Sequence, residues 1–233
     1  STMMLTGCDG DSLKVKGHID GASDKMMAIE RADFNGGWTT LDSIRINGAG
    51  DFSAKVVAPA SPEIYRLALD GSYIYFPVVG KETITIDSKA DSFATFYTLA
   101  GTPAAETMAR FDKEANALPA VAEPDSVERF KRKLFAEVFQ NGNGDILSYY
   151  FITKQIGNNP LFDPTSKSDA RYIGAVATAF QQHNADDPHA KLLEAMGLAA
   201  MRQHTAGKTV EAQEINFFDI TLPNTKGEEV SLS

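Results

Sequence analysis

The sequence of 233 residues contains a single cysteine, Cys8, and a single tryptophan, Trp38. One cysteine excludes an intramolecular disulfide, so cysteine pairing gives no information about the redox compartment. No uninterrupted apolar run approaches the roughly 20 residues that a membrane-spanning helix requires. Positive charge is scarce as well, with 22 Lys and Arg against 31 Asp and Glu, for a net charge of −9. An acidic surface repels phosphate backbones, so nucleic acid is not expected as a partner.

The composition is typical of a folded globular protein. Hydrophobic residues make up 43% of the chain and charged residues 23%, which is enough apolar material for a core. The length suits one large domain or two small ones. The longest basic cluster, Lys131-Arg132-Lys133, falls on a predicted helix. We interpret this cluster as a solvated helix face rather than a binding patch.

The N-terminus carries a short motif ending at Cys8. Met3-Met4-Leu5 is followed by two small residues and the cysteine, and then by the polar residues 9–12. The motif resembles the end of a lipoprotein signal peptide that lacks its charged start. This resemblance implies that Cys8 accepts a diacylglycerol and that residues 1–12 form a lipobox and tether. The alternative is a free cysteine in a frayed terminus.

Residues 13–100 show repeated alternation of apolar and polar side chains. Leu13, Val15 and Ile19 share one face, and Gly17 on that face indicates a bulge or a close backbone approach. Six further strands are predicted, at residues 26–31, 39–46, 52–57, 64–69, 73–79 and 83–87, separated by Gly-rich turns. Many short strands at this spacing predict an antiparallel β-sandwich or barrel.

Residues 101–213 change to helical periodicity. Thr102-Pro103 predicts a helix start, and apolar stripes follow at spacings of three and four. Four more helix starts are predicted, at Asp125 (with Glu128 as a capping box), Asp145, Ser168 and Asp187-Pro188. The helix after Asp145 is expected to run through Ile156 and end at Gly157. The stripes hold no ligand-type residues, so we interpret the helices as a supporting layer without a cofactor. The fold class predicted for the whole chain is α+β.

The β-rich region resembles a known family. The motifs lie at residues 14–21, 42–44, 50–52, 62–67 and 75–76. They are similar to a β-rich domain of unknown function found before thioredoxin-like domains in envelope proteins of Bacteroidetes. The resemblance covers residues 13 to about 115.

The tail, residues 214–233, carries a second resemblance. It is similar to the opening hairpin of peroxiredoxin- and TlpA/ResA-like thioredoxin domains, whose pattern is Pro-Asp-Phe-x-Leu, a Gly turn and Val-x-Leu-Ser. Five positions match in register: Leu222, Gly227, Val230, Leu232 and Ser233. Phe218-Asp219-Ile220 occupies the Pro-Asp-Phe slot and departs at two positions. The resemblance implies a hairpin of residues 217–222 and 229–232, and a Cys-x-x-Cys that would follow beyond Ser233.

Two motifs are considered as ligand sites and set aside. Gly207-Lys208-Thr209 looks like the end of a phosphate-binding loop, but Arg202 stands where its first glycine belongs. Residues 141–145 alternate oxygen-bearing side chains as a calcium loop does. However, Ile146 and Ile152 occupy the positions that need glycine and glutamate. A loop followed by a helix cap is predicted there instead.

A metal site is also weighed where His183 and His189 flank Asp186-Asp187. Because these residues lie between two predicted helices, we interpret them as a solvated connection. No catalytic, cofactor-binding or metal-binding residue is predicted, and the lipid attachment point Cys8 is the one site residue.

Three functional hypotheses follow. The first is a non-catalytic scaffold or interaction module of a membrane-anchored, thiol–disulfide oxidoreductase-like lipoprotein in the bacterial cell envelope, facing the periplasm. Its expected partners are the membrane, through lipid on Cys8, and its own C-terminal thioredoxin-like domain. The second is a glycan- or peptide-binding envelope lipoprotein that uses Trp38, Tyr73 and Tyr75. The third is a complete hydrolase with an unfamiliar site.

Overall fold

The computed structural model describes residues 12–118, 125–205, 221–223 and 229–231. The chain divides into two compact units, Ser1–Arg110 and Phe111–Ser233. Strands dominate the first unit and helices the second, so the predicted α+β class is confirmed. The first unit is called the β unit below, and the second is called the helical unit.

In the part of the β unit that the structure describes, residues 12–110, there are eight strands. In chain order they are β1 (Ser12–Asp20), β2 (Met26–Ala32), β3 (Trp38–Arg45), β4 (Asp51–Val57), β5 (Glu63–Leu69), β6 (Ser72–Val78), β7 (Thr83–Lys89) and β8 (Tyr97–Ala100). The first seven follow the predicted positions closely. The four-residue β8, which comes after a 3₁₀ turn at Ala90–Ser92, has no counterpart in the sequence prediction.

The strands form two four-stranded sheets. The first sheet has the order β4-β1-β7-β8, and its β1–β7 pair is parallel, which local alternation does not predict. At Gly17 the two parallel strands approach so closely that a Cβ atom would lie 1.8 Å from the carbonyl oxygen of Ile86. The close approach predicted at Gly17 is therefore confirmed, because a larger residue would overlap the backbone of β7.

The second sheet has the order β3-β2-β5-β6 and is antiparallel throughout, with a bulge between Ile29 and Glu30. The inward side chains of both sheets belong to one buried cluster. Its largest members with almost no exposure are Tyr65, Phe76, Leu13, Ile19, Met27, Ile29 and Ile46. A sandwich results because alternate residues of the strands face this shared core, except in β3, where the bulge makes Leu41 and Ile44 the core-facing residues.

Six helices follow. They are α1 (Pro103–Ala117), α2 (Ser126–Leu134), α3 (Gln140–Gly142), α4 (Ile146–Ile152), α5 (Lys167–His183) and α6 (Pro188–Thr205), and a π-helical segment, Phe135–Phe139, joins α2 to α3. The core of the helical unit is aromatic. The ring of Phe111 lies 6.1 Å from that of Phe130 and 5.9 Å from that of Phe151. Such tilted and edge-on pairs stabilise beyond the area they bury.

Several predicted helix boundaries are wrong. The helix that begins after Asp145 ends at Ile152, because Gln155–Ile156 pairs with Asn159–Pro160 (β9 and β10) around the left-handed Gly157. Ser166, not Ser168, caps α5 by accepting from the backbone N–H of Asp169. Asp125 does precede α2, but its side chain makes no capping hydrogen bond. The loop predicted at 141–144 begins later, because α3 extends to Gly142.

Part of the predicted tail hairpin is described. Thr221–Pro223 (β11) pairs antiparallel with Glu229–Ser231 (β12), and Leu222 faces Val230 in the register. Residues 217–220 and Leu232 lie outside the described residues. Among the helices that the structure describes, none combines the length and apolar character needed to cross a membrane.

Candidate functional site

The predicted lipid attachment residue, Cys8, lies outside the described residues, as do Gly207, Lys208 and Thr209. Lipid attachment at Cys8 therefore stays a prediction.

The loop considered for calcium uses its carboxylate for a helix cap. Asp145 Oδ1 accepts from the backbone N–H of Ser148 and from its hydroxyl, both at 2.9 Å. Burial raises the pKa of Asp145, while the hydrogen bonds from Ser148 oppose that shift. The prediction of a loop followed by a cap is confirmed at this position.

The histidines weighed as metal ligands differ in their surroundings. His189 is buried, with Nδ1 2.7 Å from Asp187 Oδ1, and the ring centroids of His189 and Tyr149 are 4.1 Å apart. The same Asp187 oxygen accepts from the His189 backbone N–H at the start of α6. His183 is exposed in the last turn of α5. Within the described ranges, no group of three or more His, Cys, Asp or Glu is placed to hold a metal. The interpretation of this segment as fully solvated is wrong for His189.

Within the basic cluster of α2, the predicted solvated face is wrong for Lys131, whereas Arg132 and Lys133 are partly exposed. Lys131 is 7% exposed, and its Nζ lies 2.8 Å from both carboxylate oxygens of Asp169, which is 3% exposed. Glu128 accepts a further hydrogen bond from the same Nζ at 3.1 Å. The backbone N–H of Asp163 donates to Asp169 as well. The buried charges are thus paired and hydrogen-bonded, as burial requires.

A second buried ion pair links α1 to the segment after α4. Lys154 Nζ lies 2.8 Å from Asp112 Oδ1, and the hydroxyl of Tyr150 donates to Asp112 Oδ2 at 2.8 Å. The side chains of Lys154 and Asp112 are 10% and 3% exposed. Both buried pairs link separate segments of the helical unit. We therefore interpret them as structural contacts.

A different arrangement lies on the outer face of the second sheet, formed by Glu30, Trp38, Arg66, Tyr73 and Tyr75. We call these five residues the Arg66 cluster. The strand register explains why they meet, because Arg66 of β5 is opposite Glu30 of β2 on one side and opposite Tyr75 of β6 on the other. Each strand places its inward residues in the core and these residues on the opposite face.

The guanidinium of Arg66 sits between two rings. Its Cζ lies 4.1 Å from the ring centroid of Trp38 and 3.9 Å from that of Tyr73. The Tyr75 ring completes the cluster, 5.5 Å from Trp38 and 6.3 Å from Tyr73. Both distances to Arg66 are well inside the range of a cation–π contact, so the arginine is held in one orientation.

Neighbouring small residues leave room for the rings. Trp38 is opposite Ala32, and Tyr73 is opposite Ala68, which itself is opposite Ala28. The three alanines and the three rings are all half-buried. On the outer face, the aromatic rings therefore have alanine methyl groups as cross-strand neighbours.

The charge of Arg66 is balanced, but its hydrogen bonding is not complete. Nε donates to Glu30 Oε2 at 2.6 Å, and the two side chains are 13% and 15% exposed. Glu30 is the one hydrogen-bond acceptor that the described residues provide for this guanidinium. Neither Nη atom has a hydrogen-bond partner among the described residues. Neither is a fully buried atom lacking a partner, so both reach solvent. A guanidinium fixed in this way presents a rigid fork of N–H donors to a ligand.

Sequence reasoning named Trp38, Tyr73 and Tyr75 but missed Arg66 and Glu30. The structure brings all five together in one cluster. The missing signal was the pairing of strands, because Arg66 and Glu30 each occupy an outward position that alternation alone labels as solvent-facing. Once the order β3-β2-β5-β6 is known, the cross-strand neighbours follow from the register.

The first unit is thus a two-sheet β domain with an aromatic and arginine-bearing outer face. Residues 13–108 match the family described as Domain of unknown function (DUF4369). A DUF4369 domain therefore covers the sandwich and continues into α1, in agreement with the expected N-terminal domain of unknown function. No curated protein shows a match to the chain.

Proposed function

We propose that the chain is the non-catalytic scaffold or interaction module of a lipid-anchored, thioredoxin-like envelope protein. The observation that carries this proposal is the DUF4369 domain at residues 13–108, the type of domain that the resemblance places before thioredoxin-like domains. The tail supports it through the likeness of residues 218–233 to an opening thioredoxin-type hairpin. The hairpin pairing of Leu222 with Val230 is consistent with that likeness.

The membrane partnership in this proposal depends on Cys8. A diacylglycerol together with an N-acyl chain provides the multi-chain anchoring that a single acyl chain does not. Cells that make the full-length protein with Cys8→Ser should release it from the membrane pellet, whereas the wild-type protein should stay there. Equal retention of both proteins in the pellet would contradict lipid attachment at Cys8.

Absence of catalysis is the second part of the proposal. Thiol–disulfide exchange needs an attacking thiolate and usually a resolving partner, and Cys8 is the only thiol in the chain. The isolated chain should therefore neither reduce insulin disulfides nor turn over a peroxide. Turnover that survives in Cys8→Ser would contradict the proposal, because it would place an active site within these 233 residues.

The Arg66 cluster favours a second candidate function, which is ligand binding by the β unit itself. Three half-buried rings and a guanidinium with solvent-facing donors lie within one cluster. Such a cluster suits recognition of a glycan or a peptide in the cell envelope. This role is compatible with the first, because a scaffold also carries binding surfaces.

A further inference from the structure

The outer face of the second sheet combines ring surfaces with hydrogen-bonding groups. We propose that the Arg66 cluster binds a neutral oligosaccharide. This inference rests on the ligand-binding role given above as the second candidate function, and it names the ligand class and the contacting groups.

The rings supply the apolar part of the site. Trp38, Tyr73 and Tyr75 are each half-buried residues, so they retain surface that a ligand can contact. The face of an aromatic ring is electron-rich and attracts the weakly positive C–H groups that line one face of a pyranose. The ring centroids lie 5.5 to 6.3 Å apart and the ring planes are tilted by 40° to 57°, so each ring can contact a different sugar unit of an oligosaccharide.

The polar groups match the hydroxyls of a sugar. The Nη atoms of Arg66 donate and reach solvent, and Glu30 accepts. The exposed Thr40, whose hydroxyl lies 3.4 Å from Glu30 Oε1, can do both. A sugar hydroxyl also donates and accepts, so it can use each of these groups. Because Arg66 is fixed between Trp38 and Tyr73, it loses little conformational freedom when a ligand binds.

Charge favours a neutral ligand. Arg66 and Glu30 form an ion pair with a net charge of zero, and the chain as a whole carries −9. The overall field repels an anionic ligand, whereas it has no effect of this kind on an uncharged one. An acidic glycan or a phosphorylated ligand is therefore disfavoured at this face.

Backbone geometry favours a glycan over a peptide. Extended peptides that add to a sheet obtain their affinity from main-chain hydrogen bonds at an open edge. Arg66 and Glu30 lie on β5 and β2, and both strands have a neighbour on each side. Trp38 lies on the edge strand β3, and Tyr73 and Tyr75 lie on the edge strand β6. Main-chain pairing is therefore confined to the rims of the Arg66 cluster, and its centre offers side chains alone.

Trp38 makes the proposal directly testable, because it is the only tryptophan of the chain and belongs to the cluster. The full chain would be titrated with maltohexaose, cellohexaose, laminarihexaose and mannohexaose, with hexagalacturonate as the anionic probe, while tryptophan emission is recorded. We expect a saturable change in tryptophan emission with at least one neutral probe and no change with hexagalacturonate. No change with any neutral probe, or tighter binding of hexagalacturonate, would overturn the proposal.

Variants then locate the binding surface, with calorimetry as the readout and circular dichroism as the test of folding. Arg66→Lys keeps the charge but loses the fork, so affinity should fall about tenfold or more. Thr40→Ala, at an exposed position, is the second variant and should weaken binding about threefold or more. Phe96→Ala is the matched control, since Phe96 is 61% exposed and lies next to the other sheet. Unchanged affinity in both site variants, or an equal loss in Phe96→Ala, would overturn the proposal.

The outcome can be separated from that of the scaffold proposal. Loss of membrane anchoring in Cys8→Ser tests the scaffold proposal without involving the Arg66 cluster. A chain that is anchored through Cys8 yet binds no neutral probe would overturn the glycan proposal alone.

Discussion

The β unit and the helical unit each hold a cation–carboxylate pair, but in opposite settings. Arg66 and Glu30 lie on an outer sheet face and are 13% and 15% exposed. Lys131 and Asp169 lie between helices and are 7% and 3% exposed. Lys131 donates to Asp169 and Glu128, whereas the Nη donors of Arg66 still face solvent.

The difference shows how the same chemistry serves different ends. In the buried Lys131–Asp169 pair, called the sealed pair here, the polar atoms are hydrogen-bonded within the protein. Such a pair holds its two helices together and offers no free donor or acceptor to a ligand. The Arg66–Glu30 pair, called the open pair here, is flanked by rings and keeps N–H donors and apolar surface available to a ligand. Access to solvent, rather than residue type, therefore separates a structural ion pair from a candidate binding group in this chain.

The largest effect is expected from breaking the sealed pair. Asp169→Ala leaves Lys131 charged and buried without its main partner, which should lower the free energy of unfolding by about 3–5 kcal/mol. Urea unfolding followed by circular dichroism at 222 nm measures this loss. Glu114→Ala is the matched control, because its partner Lys133 and Glu114 itself are 35% and 37% exposed. The control should cost less than about 1 kcal/mol.

Equal losses in Asp169→Ala and Glu114→Ala would show that burial does not raise the cost of breaking an ion pair in this chain. A double variant, Lys131→Met with Asp169→Leu, sharpens the comparison. It should recover most of the stability, since apolar residues of similar volume replace buried ion pairs well.

A smaller effect is expected when the open pair is broken. Arg66→Met removes the cation–π contacts and leaves Glu30, which is 15% exposed and 3.4 Å from the Thr40 hydroxyl, without its cation. The loss should be about 2–3 kcal/mol. The same urea experiment, followed by Trp38 emission, measures it. A loss as large as that of Asp169→Ala would mean that Arg66 serves the stability of the β unit rather than a ligand.

The smallest effect concerns the cap of α4. Burial raises the pKa of Asp145 above its ordinary value of 3.8, so the folded state binds this proton more readily than the unfolded state. The contribution of Asp145 to stability is thus full below the ordinary pKa and falls as pH rises through the raised pKa. Asp145→Asn keeps the cap oxygen without titrating. The free energy of unfolding of Asp145→Asn, relative to that of wild type, should increase as the pH is raised from about 3 to about 7.

Asp145→Ala is the comparison variant for the cap. It loses the acceptor for Ser148 and should cost about 1 kcal/mol at neutral pH. Thermal unfolding of both variants at several pH values checks the two effects together. A pH-independent difference between Asp145→Asn and wild type would contradict the raised pKa.

Sequence predicts local structure in this chain better than it predicts pairing. Alternation located seven strands and the close approach at Gly17, because burial on one sheet face imposes a period of two. It did not reveal the parallel β1–β7 pair, which joins strands far apart in the chain. Helix starts at Thr102 and Asp145 were predicted from capping chemistry, and the hydrogen bonds of both caps are present.

The candidate site was predicted only in part, for the same physical reason. Aromatic residues at outward positions marked Trp38, Tyr73 and Tyr75, but charged residues at such positions are ordinary. Nothing local distinguishes Arg66 or Glu30 from other solvated residues until their strands are paired. Lys131 shows the converse, since a run of basic residues on a helix gave no sign of the Asp169 carboxylate contributed by α5.

The central claim is that the Arg66 cluster is an accessible surface of the folded chain. Acrylamide quenching of Trp38 tests it most directly, because this residue is the sole tryptophan and lies in the cluster. The emission should be quenched to an extent between that of a buried and that of a free tryptophan, and a saturating neutral glycan should reduce the quenching. Emission that acrylamide does not quench would show that the face is covered, and it would contradict the claim.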